Sequence, residues 1–330
     1  MAGWDLMVHS IEPPSYLGRD RELVAGPRMD NLLSVHAGVA ALAAVSGAEK
    51  LDHIPVLAAF DHEENGSQSD TGADGPLLGN VLERSVFARG GSYEDRARAF
   101  AGTICLSSDT GHAVHPNYGE RHDPTHHPRA NGGPILKVNV NQRYATDGSG
   151  RAVFAAACER AGVPWQTFVS NNAMPCGTTI GPITAARHGI QTVDIGVAIL
   201  SMHSARELCG AEDPYLLANA WWPSWRADPP GRPAGRLPLV VHAREDEGQA
   251  GGAVGGDADG HAPVLLVDVA GRVLVGRVVV AGRRHRRDVQ HPFGDVRVQR
   301  QLPEEVRPGP LAARQQLRRG GGDQQPGGGP

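Results

Sequence analysis

The sequence lacks a long apolar run, and it lacks a large excess of charge of one sign. Residues 54–60 are typical of its longest apolar runs, which fall far short of the roughly 18 residues of a membrane-spanning helix. The formal net charge of −4 gives no global reason to expect nucleic acid or an acidic membrane as a partner. The chain opens without a basic segment followed by an apolar one, so no secretory signal is predicted.

Cysteine is scarce as well, and the four cysteines (Cys105, Cys158, Cys176 and Cys209) form no closely spaced pair. We expect reduced, buried thiols in a cytoplasmic protein rather than a disulfide framework or a zinc knuckle. Aromatic residues make up only 5% of the chain, but 40% hydrophobic and 21% charged residues are typical of a soluble globular protein. This composition excludes collagen and coiled coil.

The composition changes near residue 223. Residues 223–330 contain no Ile, Thr, Asn, Lys, Met, Tyr or Cys, and proline plus glycine reach about 29% of them, a low-complexity value. Two interpretations stay open: a weakly ordered or disordered extension, and a GC-rich coding region translated in a shifted frame. Residues 264–281 alternate in a strand-like way, which allows one hairpin in this tail. We assign no function to the tail.

Residues up to about 222 alternate between helical and strand patterns. Helices are predicted at residues 30–46, 75–87, 93–100, 147–160, 182–188 and 204–220, and strands at residues 54–60, 104–107, 135–139, 165–170 and 192–195. This alternation predicts an α/β fold with a mostly parallel central sheet and helices on both faces. Ligands of such sheets collect beyond the carboxyl ends of the strands.

Chemically useful side chains follow these predicted strands. Glu63 and Glu64 follow one strand, Asp109 follows another, His203 precedes the last predicted helix, and Asp30 begins the first. Taken singly, these residues also fit a solvated acidic loop, a polar loop, a structural histidine and a helix N-cap. Taken together, three carboxylates and an imidazole suit zinc, and a fourth carboxylate is left to act as a base.

Six blocks of the sequence resemble the aspartyl aminopeptidases, the family that includes vacuolar aminopeptidase I. The resemblance covers about residues 4–220 and keeps the family's order and spacing. It rests on the blocks GPRMDNL, FDHEENGS, SSDTGHAVHPNY, GGPILKVNVNQRYATD, NNAMPCGTTIGPI and TVDIGVAILSMHSARELCG. It implies a zinc-exopeptidase-like fold and the removal of N-terminal, acidic residues from peptides.

The resemblance also implies a role for each matching residue. Asp30 matches the carboxylate that bridges two zinc ions, and Glu63 matches the general base. Glu64 and His203 match ligands of one zinc, and Asp109 matches a ligand of the other.

Substrate-binding residues are implied in the same way. His115 matches a position that stabilises the tetrahedral intermediate or lines the first pocket, and Lys137 and Tyr144 lie in the block that holds the substrate. Lys137, one of only two lysines in the chain, is a candidate partner for an acidic substrate side chain, although a simple surface lysine is the alternative. Residues 171–182 resemble a tight turn that lines the site, although helix capping alone would also explain them.

The sequence departs from the family at its start, because the family's upstream His-x-Asp segment is absent. We interpret residues 1–22 as a remnant of an inserted dimerisation domain, with residues 4–9 as its last strand, and residues 23–222 as a partial catalytic domain. For one of the family's two zinc ions, three ligands then remain: Asp30, Glu64 and His203. The site of the other zinc ion keeps two carboxylates and lacks its histidine. We expect at most about one tightly bound zinc and little peptidase activity.

Alternatives from other classes stay open. One is a catalytically inactive fragment that acts only as an oligomer or assembly module, since the family assembles into large shells. Another is a di-zinc exopeptidase or deacylase with different substrates. The expected partners are peptide substrates and further copies of the chain, and neither nucleic acid nor a membrane is expected.

Overall fold

The computed structural model describes residues 6–45, 51, 53–224, 238–243, 264–267 and 273–276 of the 330-residue chain. Its helices in these ranges are α1 (Met29–Val45), α2 (Leu77–Ala88), α3 (Tyr93–Gly102), α4 (Gly148–Ala161), α5 (Gly181–His188) and α6 (Asp213–Ser224). Every helix in the described residues is too short or too polar to cross a lipid bilayer.

The strands of the described residues fall into three sheets. They are β1 (Ser15–Leu17), β2 (Leu23–Gly26), β3 (Val56–Phe60), β4 (Ile104–Ser108), β5 (Gly111–His112), β6 (Ile135–Val138), β7 (Gln166–Val169), β8 (Gln191–Gly196), β9 (Ala198–Ile199), β10 (Glu207–Gly210), β11 (Pro238–Ala243), β12 (Val264–Val267) and β13 (Val273–Gly276). The central sheet has the order β13-β12-β3-β11-β4-β8-β6-β7, and two small sheets have the orders β1-β2-β10 and β5-β9.

The central sheet is mostly parallel, as the alternating pattern predicts. β3, β11, β4 and β8 run parallel to one another, and β12 is parallel to β3. Within this sheet the β6–β8 and β12–β13 pairs are antiparallel. Since β3 and β4 share one direction, the residues that follow them emerge at the same edge of the sheet.

Apolar side chains on opposite faces of the strands form two separate cores. Leu57 of β3 packs in one core with residues of α1, α4 and α6. Its neighbours Val56 and Ala58 point to the other face, where they pack with residues of α2 and with Phe100 of α3. Because strand side chains alternate between faces, a continuous apolar strand such as β3 needs helices on both sides.

Several helices begin or end at the residues where local sequence signals predict it. The Asp147 side chain accepts a hydrogen bond of 2.6 Å from the Gly150 amide at the start of α4. Gly162 and Gly189 end α4 and α5 in the left-handed region, at φ values of 65° and 64°. Glycine adopts this conformation without the steric penalty of a Cβ atom.

Two expected elements are wrong. The segment expected to be a helix at residues 204–220 contains the strand β10 and only then α6, because β10 pairs antiparallel with β2. Tertiary pairing therefore overrides the local apolar spacing. Residues 6–9 form no strand, although a strand was expected at residues 4–9, and residues 4 and 5 lie outside the described residues.

The cysteine prediction is confirmed for the thiol state of all four residues. Cys105, Cys158 and Cys209 are buried, whereas Cys176 is only half-buried. In the region after residue 223, β11 lies between β3 and β4, and β12 and β13 form an antiparallel pair, which the alternation of residues 264–281 allows. The expectation of an extended low-complexity tail otherwise falls on residues outside the described ranges.

Candidate metal centre

The carboxyl edge of the central sheet carries two acidic segments. Glu63 and Glu64 lie in the loop that follows β3, and Asp109 directly follows β4. The two strands flank β11 and run parallel to it, so both segments emerge side by side. Asp109 is also held to the next strand, since its amide donates to the carbonyl of Ile195 at 3.0 Å.

Three of the predicted ligands form one compact cluster at this edge. Nε2 of His203 lies 3.0 Å from Oδ2 of Asp30 and 3.0 Å from Oε1 of Glu64. One ligand atom from each of the three side chains lies within 4.8 Å of the others. Asp30 comes from the start of α1 and His203 from the turn between β9 and β10, so the fold gathers them from distant parts of the chain.

The electrostatics of this cluster favour a cation. Burial, followed by the charge of Glu64, raises the pKa of Asp30. Burial lowers the pKa of His203, but the charges of Glu64 and Asp30 outweigh it and leave this pKa above its usual value. The neighbouring carboxylates contribute to both shifts, in addition to the burial that dominates for Asp30.

The donor set fits zinc. Oδ1 of Asp30 is buried and has no hydrogen-bond partner among the described residues, which leaves a carboxylate oxygen available for a metal. Two carboxylates and one imidazole supply oxygen and nitrogen ligands in the number that open zinc sites use. Asp30, Glu64 and His203 are therefore the residues that would hold one zinc ion.

Glu63 lies beside this cluster and is half-buried. Burial is the main reason that its pKa is raised to about 8, and the charges of Asp109, Glu64 and Asp30 add to the shift. Its carboxylate lines the same cavity as the three clustered residues. Since it is not part of the compact cluster, it is available to handle a proton.

Asp109 has a different immediate partner. Its Oδ2 accepts a hydrogen bond of 2.8 Å from Nζ of Lys137, which is buried and also donates to the carbonyl of Thr110 at 2.7 Å. Burial raises the pKa of Asp109 to about 6, against the opposing effect of Lys137. Burial lowers the pKa of Lys137, but the charge and hydrogen bond of Asp109 together with the nearby Tyr144 and Asp194 outweigh this effect and raise the pKa above its usual value.

One cavity of about 700 Å³ connects these groups. His115, Lys137 and Tyr144 line it, as do residues of the loop that precedes α5. Tyr144 is buried, its ring centroid lies 5.5 Å from Nζ of Lys137, and burial raises its pKa to about 12. Nδ1 of His115 accepts a hydrogen bond of 3.1 Å from the amide of Asn117.

All eight residues singled out from the sequence line this cavity: Asp30, Glu63, Glu64, Asp109, His115, Lys137, Tyr144 and His203. The compact ligand cluster contains only Asp30, Glu64 and His203 of these residues, whereas Asp109 interacts both with Asp30 and with Lys137. The lysine is buried, so the surface-lysine alternative is wrong for Lys137. The roles of the eight residues stay predictions.

Sequence analysis missed two buried carboxylates that shape the site. Glu207 accepts hydrogen bonds from the backbone amides of Asp30 and His203. Asp194 binds Thr179, which lies in the cavity wall. No local spacing marks either residue, and Glu207 was hidden because it lies within the segment expected to be a helix.

Comparison with known proteins agrees with this geometry. The profile of the aminopeptidase I zinc metalloprotease family (M18) matches residues 1–221. The chain is 88% identical to "Probable M18 family aminopeptidase 2" of Streptomyces coelicolor over 222 residues, which are 67% of this chain and 51% of that protein. A protein of the same name in Mycobacterium leprae is 49% identical over 224 residues, which are 68% and 52% of the two chains.

Solved structures show the same fold. The crystal structure of yeast aminopeptidase 1 matches with a TM-score of 0.57 and 30% identity over 66% of this chain and 50% of that chain. A crystal structure named prApe1 matches with a TM-score of 0.60 and 31% identity over 66% and 47% of the two chains. The chain spans about half the length of the curated relatives that it matches. With a family profile that covers two thirds of its residues, the chain belongs to the M18 family, the aminopeptidase I zinc metalloproteases.

Proposed function

We propose that this chain carries the metal-binding and proton-transferring part of a zinc aminopeptidase. The observation that supports this most directly is the compact cluster of Asp30, Glu64 and His203 in the wall of the cavity. The three side chains would hold one zinc ion. Bound there, zinc supplies Lewis-acid polarisation of a peptide carbonyl and lowers the pKa of water.

Glu63 is the proposed general base. It accepts the proton of the attacking water and delivers it to the amine that leaves when the first peptide bond breaks. Its position supports this role, since it lines the cavity next to the cluster without belonging to it. Half-burial shields its carboxylate from bulk water, which strengthens its interaction with groups inside the cavity.

Lys137 is the proposed selector for N-terminal aspartate or glutamate. An ammonium group has three donors, and those of Lys137 reach Oδ2 of Asp109 and the carbonyl of Thr110. The remaining donor can bind a substrate carboxylate, with Tyr144 as the adjoining wall. His115 would line the same pocket.

The substitution Lys137→Met tests this selection, because methionine keeps much of the length and removes the charge. The ratio of kcat/KM for an N-terminal aspartyl peptide to that for a leucyl peptide should fall at least about tenfold. An unchanged ratio would show that another group selects the substrate. The variant Arg98→Met, on the exposed face of α3, is the control for loss of one cation.

Asp109 gives a reason to expect less than the family's full activity. Its carboxylate, proposed as a ligand of the second metal with Asp30, is already bound to Lys137. Among the residues proposed as ligands, the second metal position therefore has two carboxylates, one of them engaged by a lysine, and no imidazole. We propose that the chain binds about one zinc ion tightly and hydrolyses peptides slowly. A two-metal reaction would need the second ion to be held as well.

Zinc analysis of the purified chain tests the whole proposal. The wild-type chain should retain about one equivalent after dialysis, Glu64→Gln and His203→Ala should lose it, and Glu63→Gln should keep it while residual turnover disappears. A wild-type chain without zinc would refute the metal centre. Two tightly bound ions with rapid turnover of an aspartyl peptide would refute the one-ion expectation.

Assembly is the second candidate function. The apolar side chains of Leu6, Val8 and Ile11 precede β1 and are exposed among the residues that the structure describes, which favours a surface covered by protein in a larger assembly. One solved relative is described as a dodecamer. Sedimentation of the purified chain tests this role, since a monomer at micromolar concentration would argue against further copies as the partner.

A further inference from the structure

Glu207 is a buried carboxylate at the first position of β10. Only 2% of its surface is exposed, and no lysine or arginine forms an ion pair with it in the part of the chain that the structure describes. Burial of an unpaired charge is unfavourable unless hydrogen bonds replace the lost water. The location of Glu207 therefore depends on the donors that face its two oxygens.

Those donors are the backbone amides of two clustered residues. The amide of Asp30 donates to Oε2 of Glu207 at 2.9 Å, and the amide of His203 donates to Oε1 at 2.7 Å. Asp30 and His203 lie 173 positions apart in the sequence, and their side chains meet with 3.0 Å between Nε2 and Oδ2. One carboxylate thus binds the main chain of two residues whose side chains both belong to the cluster.

The conformation of His203 makes this support necessary. Its φ is 64°, in the left-handed region, where a Cβ atom comes too close to the following carbonyl oxygen and residues other than glycine are seldom found. Ser201 has a φ of 58°, so the turn before β10 is strained at two positions. A charge-assisted hydrogen bond to the His203 amide stabilises this turn and fixes the direction of the imidazole.

We propose that Glu207 is a positioning residue of the metal centre, which orients Asp30 and His203 by binding both of their backbone amides. This inference rests on the proposed zinc-binding role of the cluster. Some hydrogen bonds orient metal ligands without touching the metal. Their removal commonly weakens metal binding by about 10–100-fold. Glu207 is not a member of the ligand cluster, so its contribution appears as affinity and not as a lost ligand.

The test compares zinc affinity in matched variants of the full chain, measured by competition with a chromophoric chelator. Glu207→Gln keeps the size of the side chain but replaces one acceptor oxygen by an amide group, which cannot accept from an N–H. Asp213→Asn is the control, because Asp213 is equally buried and accepts from the amides of Asn131, Gly133 and Gly210 away from the cluster. The melting temperature of each zinc-free variant is measured in parallel.

A positioning role predicts that Glu207→Gln weakens zinc binding by about 10–100-fold, while Asp213→Asn lowers the melting temperature and leaves the zinc affinity within about threefold. A purely structural role would lower both melting temperatures and change neither affinity, and this result would overturn the proposal. Glu207→Asp, which keeps the charge but is too short to reach both amides, should also weaken zinc binding.

The outcomes separate this inference from the proposed function. Should the wild-type chain fail to bind zinc, the metal centre itself is wrong. If the wild-type chain binds zinc and Glu64→Gln does not, an unchanged affinity in Glu207→Gln overturns only the positioning role. Unfolding of both Glu207 variants, with a folded Asp213→Asn, would assign Glu207 to the fold and also overturn the proposal.

Discussion

Replacement of Asp194 by alanine should strongly destabilise the part of the fold that supports the site. Asp194 lies in β8 and is fully buried. Its carboxylate accepts three hydrogen bonds of 2.6 Å each, from the hydroxyls of Ser107 and Thr179 and from the backbone amide of Ala145. The residue therefore ties together β4, the loop that precedes α5 and the segment that carries Tyr144.

The expected loss follows from these three bonds. A hydrogen bond to a charged group contributes about 1.5–3 kcal/mol, and a buried donor left without a partner costs about 1–3 kcal/mol. The hydroxyls of Ser107 and Thr179 can rotate toward other acceptors, whereas the amide of Ala145 cannot. We expect Asp194→Ala to lower the free energy of unfolding by about 3–5 kcal/mol, a large share of the roughly 5–15 kcal/mol of a typical domain.

Urea unfolding followed by far-UV circular dichroism measures this loss. Asp194→Asn should lower the free energy of unfolding less, because its amide oxygen still accepts from both hydroxyls while only the Ala145 amide faces another donor. Asp123→Asn is the control, since Asp123 accepts from Thr125 and His126 but lies near solvent, and its replacement should change stability little. A loss below about 1 kcal/mol in Asp194→Ala would refute the reasoning.

Three further perturbations test other contacts. Gly196→Ala places a Cβ against the carbonyl oxygen of Asp109, so it should lower the free energy of unfolding by about 1–3 kcal/mol and weaken zinc binding, as chelator competition would show. Burial lowers the pKa of His188, so the unfolded chain binds this proton more readily and stability falls as pH drops below about 6.5. In His188→Gln this loss of stability at low pH should disappear. Denaturation of both chains at neutral pH and at about pH 5 tests this, and an equal change of stability with pH in both chains would contradict it. Ser92→Ala removes the acceptor for the Asp95 amide at the start of α3 and should lower stability by about 1 kcal/mol in thermal unfolding, whereas no change would mean that water replaces the cap.

Local sequence signals predicted most of the elements up to about residue 200 well. The apolar run of β3 and the glycines Gly162 and Gly189 act through nearest neighbours, so their effect is readable without a fold. The same reasoning failed for residues 204–220, where the apolar spacing fits a helix. There β10 pairs with β2 from far upstream, and no residue within the segment records this partner.

The residues of the candidate site also fall into those that the sequence predicted and those that only the structure revealed. The carboxylates that follow β3 and β4 could be placed at one edge from the parallel order alone, and the resemblance supplied Asp30 and His203. Two findings needed coordinates: Lys137 lies against Asp109, and Glu207 lies behind Asp30 and His203. Lys137 and Asp109 lie 28 positions apart and Glu207 and Asp30 lie 177 apart, distances over which spacing carries no information. His203 lies only four positions from Glu207, but its contact depends on the same tertiary placement of Glu207.

By itself, the order of residues determined which chemical groups this protein has and on which strand or helix ends they stand, because those ends depend on short-range backbone preferences. Tertiary structure alone decided which of the five acidic and imidazole groups form a cluster and which one is bound by a lysine. The physical reason is that electrostatic and hydrogen-bonding energies depend on distances in space, and only the packed sheet and helices set those distances.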